Sequence, residues 1–149
     1  MTEPVLVTPL FFEGLARSSW AYPALEVVHI VGIALLLGNL VLFELRVWGA
    51  ALQLPLPELG RLALGLALLG FGLIVLSGLT MFATQAAELL SNRAFVWKLG
   101  LVTLAGTNAA LFHARGGLAK MDSVARLQTV LSLGLWLGAI ICGRWIAYQ

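Results

Sequence analysis

The sequence has little charge and almost no cysteine. Charged residues make up 11% of its 149 residues and hydrophobic residues 60%, whereas soluble domains carry roughly 25% charged residues. So few charges cannot form the concentrated basic face that nucleic acid requires, so nucleic acid is excluded as a partner. The single cysteine, Cys142, permits neither an intramolecular disulfide nor a Cys-x-x-Cys motif.

Several processing and catalytic signals are also missing. The first basic residue is Arg17, so no positively charged n-region precedes the first apolar stretch, and no cleaved signal peptide is expected. The sequence has no Gly-x-Ser-x-Gly, no His-Glu-x-x-His and no phosphate-binding loop. We therefore expect a protein that is not an enzyme on its own.

What the sequence does contain is four long apolar runs, at about 22–48, 57–83, 93–113 and 124–148. Each is close to the ~20 residues that cross a lipid bilayer as a helix. Before them, the segment from Thr8 to Trp20 places Pro9 at a first helical position and mixes apolar with charged residues, which predicts an interfacial helix. The predicted fold is all-α, a four-helix transmembrane bundle with a short N-terminal interfacial helix.

Small residues recur at helical spacing in the last two spans. Gly134, Gly138 and Cys142 repeat every fourth residue, so Gly134 and Gly138 are expected to face a neighbouring helix. In the third span a small and polar face is predicted to pack closely against another helix, and it comprises Gly100, Thr103, Thr107, Ala110 and Ala114. The pattern in the fourth span favours packing within the bundle, with a dimer interface as the alternative.

Basic residues near the span ends give a weak orientation signal. Five lie on the side of the first and third loops and four on the other. Because lysine and arginine are retained in the cytoplasm, this bias predicts that both termini lie on the outer side.

Polar residues in the spans sort into two layers. Counted from the face that bears the termini, Glu26, Lys98 and Arg144 lie about one turn deep, and His29, Ser77 and Cys142 about two turns deep. The predicted polar cluster is Glu26, His29, Lys98 and Arg144. A structural alternative is that Lys98 or Arg144 merely neutralises Glu26 to hold the bundle together. The second layer, toward the opposite face, comprises Asn39, Glu44, Asn108 and His113.

These residues permit three kinds of cofactor chemistry. His29 and His113 differ in depth by about twelve residues, roughly 18 Å, so they cannot grip one haem within a chain. A haem b could instead use His29 with Met81, since histidine and methionine form a recognised axial pair, or His29 with its copy in a dimer. Glu26, His29 and Cys142 could hold copper or zinc, but this three-ligand set is a weaker signature than haem.

Three motifs run along the chain, namely Trp20-x-Tyr22-Pro23-x-x-Glu26-x-x-His29-Ile30-x-Gly32, Leu45-Arg46-x-x-Gly49 and Gly143-Arg144-Trp145-Ile146-Ala147-Tyr148. They resemble, over nearly the whole chain, a family of small bacterial four-helix membrane proteins of unknown function. The resemblance implies a bacterial inner (cytoplasmic) membrane protein. More loosely, the architecture is similar to four-helix b-type cytochromes and to copper-resistance D-type membrane proteins.

Two functional hypotheses follow. The first is a small electron-transfer subunit that binds haem at a polar site around His29. The second is a cofactor-free structural or accessory membrane protein, whose polar cluster fixes packing or docks a larger complex.

Overall fold

Four long helices dominate the structure, a computed structural model that describes residue 14 and residues 18–148. They are α1 (Ala21–Val47), α2 (Leu56–Thr84), α3 (Arg93–Ala114) and α4 (Ser123–Trp145), and a 3-10 turn at Ile146–Tyr148 follows α4. Short helices at Ala86–Ser91 and Gly117–Lys120 lie in the second and third loops. Among the described residues there is no strand. The predicted all-α four-helix bundle is confirmed.

The four helices are long and apolar enough to cross a membrane, with mean hydropathies between 1.3 and 2.4. Their ends lie within one residue of the predicted spans. The predicted interfacial helix from Thr8 to Trp20 lies almost wholly outside the described residues. The chain is therefore a multi-pass membrane protein.

Helices α1 and α2 touch backbone to backbone. A Cβ added to Gly70 would lie 2.7 Å from the carbonyl oxygen of Gly32 and 2.7 Å from the backbone nitrogen of Leu36. Small residues permit such an approach, which in lipid replaces the hydrophobic effect as a source of packing energy. The contact fixes the register of α1 on α2, and with it the position of His29 opposite Ser77.

Two apolar layers join this helix pair to α3 and α4. One layer has the ring of Phe43 edge-on to Phe112, with centroids 6.2 Å apart. The other has Phe71 edge-on to Trp136, at 5.7 Å. Small buried residues fill the space between the rings, and these are Ala63, Ala67, Ala105 and Ala125. The core therefore occupies the middle of the bundle and leaves the polar layers toward its two ends.

Only some of the small residues predicted to pack against a neighbouring helix do so. Gly138 faces α3, because a Cβ there would lie 3.2 Å from the Leu101 side chain. The prediction for Gly134 is wrong, since a Cβ there would meet nothing within 4 Å. The predicted packing of the small face of α3 is also wrong within this chain, because all five of its residues are exposed. The aromatic core residues turn α3 so that this face points outward.

Asp122 begins α4 as its N-cap. Its side chain accepts a hydrogen bond of 2.8 Å from the backbone N–H of Ala125, and its other oxygen accepts one of 3.0 Å from Arg115. The backbone bond from Ala125 and the charge of Arg115 hold the pKa of the Asp122 carboxyl below its ordinary value of 3.8. Such a group stabilises the fold when it is ionised.

Asp122→Ala is therefore expected to lower the melting temperature at neutral pH, since it removes both the cap and the ion pair. The pKa in the folded state is lowered, so the stabilisation is present above the unfolded pKa and disappears as the pH falls through the folded pKa. The difference in melting temperature between wild type and variant should shrink toward zero in acid. Asp122→Asn keeps a capping oxygen and should fall between the two. A difference independent of pH would contradict the role given to the carboxylate.

Candidate functional site

His29 on α1 bonds to Ser77 on α2. The Nδ1 of His29 and the Oγ of Ser77 are 2.9 Å apart. Ser77 has one hydroxyl hydrogen and directs it at the carbonyl oxygen of Leu73, at 2.6 Å. The Ser77 oxygen therefore accepts from Nδ1–H of His29. In the neutral imidazole this arrangement leaves Nε2 with a free lone pair.

The ring of His29 lies directly against α2. A side chain at Gly78 would begin 3.2 Å from the Cε1 atom of His29, so any larger residue there would force the ring to shift slightly. Ser77 itself is buried, with 2% of its surface exposed. Helix α2 thus holds the imidazole by one hydrogen bond and one close contact.

Lys98 joins α3 to α4 at the same level of the bundle. Its Nζ atom lies 3.5 Å from the point where a side chain at Gly143 would begin, so the lysine crosses from α3 to the backbone of α4. The charge of Lys98 also acts on His29 and Cys142, without a hydrogen bond to either. Each long helix contributes one residue at this level, and we call these residues the four-helix site: His29, Ser77, Lys98 and Cys142.

The predicted cluster of Glu26, His29, Lys98 and Arg144 forms only in part. His29 and Lys98 lie at the same level without a hydrogen bond between them, and Glu26 is exposed and makes no ion pair with a described residue. Three residues along a helix place Glu26 about 60° around α1 from His29, which turns it away from the bundle. The predicted pairing of Glu26 with Lys98 or Arg144 is therefore wrong.

Arg144 has a nearer partner. Its guanidinium donates a 2.6 Å hydrogen bond to the hydroxyl of Tyr148 and lies 4.8 Å from the centre of that ring. A partner four residues along lies on the same helical face, so the contact needs no ordering of a side chain across the bundle. Arg144 remains exposed at the end of α4.

The predicted copper or zinc set is also wrong. Among the described residues, no three histidine, cysteine, aspartate or glutamate side chains lie close enough together to hold a metal ion. Glu26 faces outward, so Glu26, His29 and Cys142 do not converge on a common point.

Met81 is half-buried and lies one turn beyond Ser77 on the same face of α2. Its pairing with His29 around a haem stays a prediction. His113 lies at the far end of α3 and is exposed, so it offers no second imidazole at the level of His29.

The second layer does not form one site. Asn39 donates to the carbonyl of Leu35 in its own helix, at 2.7 Å, whereas Asn108 donates to the carbonyl of Gln128 on α4, at 2.8 Å. Glu44 is half-buried on α1, and the exposed ring of His113 packs edge-on against Phe112. A cavity of about 50 Å³ between Asn108 and His113 has room for water rather than for a cofactor. Of these four residues, Asn108 is the one that bonds to a neighbouring helix.

Sequence reasoning missed the glycines that complete the four-helix site. Gly78 and Gly143 admit the His29 ring and the Lys98 side chain against the helix backbones. Each glycine directly follows a site residue of its helix, Ser77 or Cys142. That adjacency is the sequence signal that could have identified them.

Ser77→Ala is expected to destabilise the bundle by about 1 kcal/mol, the typical scale of an interhelical hydrogen bond in a membrane protein. The change removes the acceptor of His29 Nδ1–H. Thr80→Val is the matched control, because the Thr80 hydroxyl bonds only to Leu76 of its own helix. Equal unfolding free energies for the two variants in detergent would show that the His29–Ser77 bond contributes nothing.

No family model, curated protein or solved structure matches this chain. The resemblance to small bacterial four-helix membrane proteins stays a prediction. The features of the chain that bear on its function are the four-helix site and the surfaces of the bundle.

Proposed function

We propose that this protein is an accessory subunit of a larger membrane complex and that it docks through the outward face of α3. The observation that carries the proposal is the exposure of the small face of α3, which comprises Gly100, Thr103, Thr107, Ala110 and Ala114. We call this surface the α3 face. It is directed away from the core residues Ala105 and Phe112 of the same helix.

The α3 face is smooth and uncharged. A Cβ at Gly100 would meet no atom within 4 Å. The hydroxyls of Thr103 and Thr107 bond to carbonyls of their own helix, each at 2.9 Å. The threonines therefore present methyl groups and satisfied hydroxyls to whatever lies outside, without an unpaired polar group in lipid.

The side chains beside the α3 face are larger than those within it. Large side chains border the α3 face, among them Leu104 and Leu111 with 57% and 53% of their surface exposed. The stripe of small residues is thus a shallow groove between larger ones. A second transmembrane helix can bring its backbone close in such a groove, and that close packing drives helix association in lipid.

We also propose that the protein lies in a bacterial inner membrane with both termini on the outer side. The motif resemblance supports the compartment, and the basic residues of the loops support the orientation. Its polar layers then act mainly as packing elements, because His29, Asn108 and Asn92 each bond to a neighbouring helix. The partner is a transmembrane helix of a different chain.

The test is the particle mass after gentle extraction from the membranes in which the protein naturally occurs. A complex that contains a second polypeptide in fixed ratio is expected, and it should survive moderate salt because the α3 face carries no charge. A particle that contains a single copy of this chain would overturn the proposal. A particle of two copies alone would show self-association and would overturn the accessory role.

Haem-linked electron transfer through His29 is the second candidate. One observation favours it: the bond to Ser77 fixes the imidazole so that Nε2 is free to ligate, the arrangement common among metal-bound histidines. His29 and Met81 would be the protein ligands, and the haem would supply one-electron transfer. Against this, α1 and α2 touch near Gly32, one turn from His29, which restricts space for a macrocycle between them. Purified protein with a Soret band that His29→Ala abolishes would support haem, and colourless protein after expression with added haem would reject it.

A further inference from the structure

Among the described residues, Lys98 has no counter-ion. It lies about 7.5 Å along α3 from Arg93, the first residue of the helix. No described residue forms a hydrogen bond or an ion pair with its ammonium group. A lysine in a membrane helix ordinarily pairs with an acid or a backbone carbonyl, and one that does not marks a candidate functional site.

The described carboxylates at this end of the bundle do not pair with Lys98. Glu26 and Glu88 are both exposed, and neither forms an ion pair with a described residue. His29 and Cys142, the titratable side chains grouped with Lys98 in the four-helix site, are not carboxylates. Among the described residues, the four-helix site therefore has an excess of positive charge.

The ammonium group of the half-buried Lys98 keeps some accessible surface. No fully buried side-chain nitrogen or oxygen among the described residues lacks a hydrogen-bond partner. Lys98 Nζ and His29 Nε2 have no such partner, so each must keep some accessible surface. Lys98 Nζ offers three N–H donors, and His29 Nε2 offers one lone pair.

We propose that the four-helix site binds a phosphate headgroup that also carries a hydroxyl. The Lys98 ammonium donates to the anionic phosphate oxygens, and His29 Nε2 accepts a hydrogen from the headgroup hydroxyl. A glycerol phosphate headgroup has both features, whereas a choline headgroup has the phosphate without the hydroxyl. A phospholipid and a free phosphate share the anionic chemistry. The position of Lys98 within a membrane-spanning helix places the site within reach of a lipid headgroup, because lysine stems extend toward the interface.

The chain offers a matched control for this site. It has two lysines, Lys98 and Lys120, and Lys120 is exposed in the short helix at the opposite end of the bundle. Lys98→Met and Lys120→Met each remove one lysine charge, the first at the four-helix site and the second at the opposite end of the bundle. Lys98→Arg keeps the charge, and Lys98→Gln keeps a polar side chain if the methionine variant does not fold.

The experiment measures binding of phosphatidylglycerol to the purified protein in a neutral detergent, with phosphatidylcholine of the same acyl chains as reference. Native mass spectrometry gives the fraction of protein with bound lipid, and circular dichroism reports the fold of each variant. Wild type, Lys98→Arg and Lys120→Met should prefer phosphatidylglycerol. Lys98→Met should bind it at least about tenfold more weakly, which corresponds to about 1.4 kcal/mol. His29→Ala should reduce the preference for phosphatidylglycerol over phosphatidylcholine.

Competition with inorganic phosphate distinguishes the two sources of the ligand. Lipid that millimolar phosphate does not displace identifies the headgroup as the ligand, and displacement identifies a site for free phosphate of the same chemistry. Equal binding by a folded Lys98 variant and wild type would overturn the proposal. An equal loss in Lys120→Met would also overturn it, because it would show binding by overall charge alone.

Discussion

Gly70→Ala is expected to destabilise the bundle by about 1–3 kcal/mol, the usual cost of overpacking a well-packed interface. The added methyl group would lie 2.7 Å from backbone atoms of Gly32 and Leu36. Backbone atoms in the middle of a helix cannot rotate away as a flexible side chain can. Helices α1 and α2 must therefore separate, and the bond between His29 and Ser77 should weaken with them.

Gly65→Ala is the matched control on the same helix. A Cβ at Gly65 meets no atom within 4 Å, so this change should be neutral or stabilise α2 by up to about 1 kcal/mol through its helix propensity. Unfolding free energies of both variants, measured by denaturant titration in mixed micelles, test the difference. Equal stability of Gly70→Ala and Gly65→Ala would contradict the close contact between α1 and α2.

Thr107→Leu is expected to release the protein from its complex, with at least about a tenfold loss of association. Thr107 lies at the centre of the α3 face and is exposed, so a larger side chain there holds the partner helix away and removes the close contact that drives association in lipid. The isolated chain should keep its melting temperature, because Thr107 is exposed and its hydroxyl bonds to a carbonyl of its own helix.

Thr80→Leu makes the same exchange on α2, away from the α3 face. Affinity purification of each variant from membranes, with quantification of the copurified partner, gives the comparison. Loss of the partner from both variants alike, or from neither, would count against the α3 face as the docking surface.

The four helices were predictable because hydropathy determines them. A run of about 20 apolar residues has few alternatives to a membrane helix, and prolines and capping residues locate its ends. Depth was predictable for the same reason, because a fixed rise per residue converts sequence position into level. His29, Ser77, Lys98 and Cys142 were expected at similar depths from the terminus-bearing face. The structure bonds His29 to Ser77 and places Lys98 beside Gly143, the residue after Cys142.

Rotation of each helix about its own axis was not predictable from depth. Glu26 shares a level with Lys98 but lies outside the bundle, and Arg144 bonds to Tyr148 in preference to a partner across the bundle. The α3 face illustrates the same point on a larger scale. Small residues predicted that this face packs against another helix, but the aromatic packing of Phe43 with Phe112 turns it away from the bundle.

Crosslinking from Leu104 within intact membranes tests the docking claim most directly. Leu104 borders the α3 face and is 57% exposed, and a photoactivatable leucine analogue at this position keeps its shape. Leu76 on α2, which is 69% exposed, provides the lipid-facing control. The account predicts a crosslink from position 104 to another polypeptide and crosslinks from position 76 to lipid. Crosslinks from position 104 to lipid alone would contradict it.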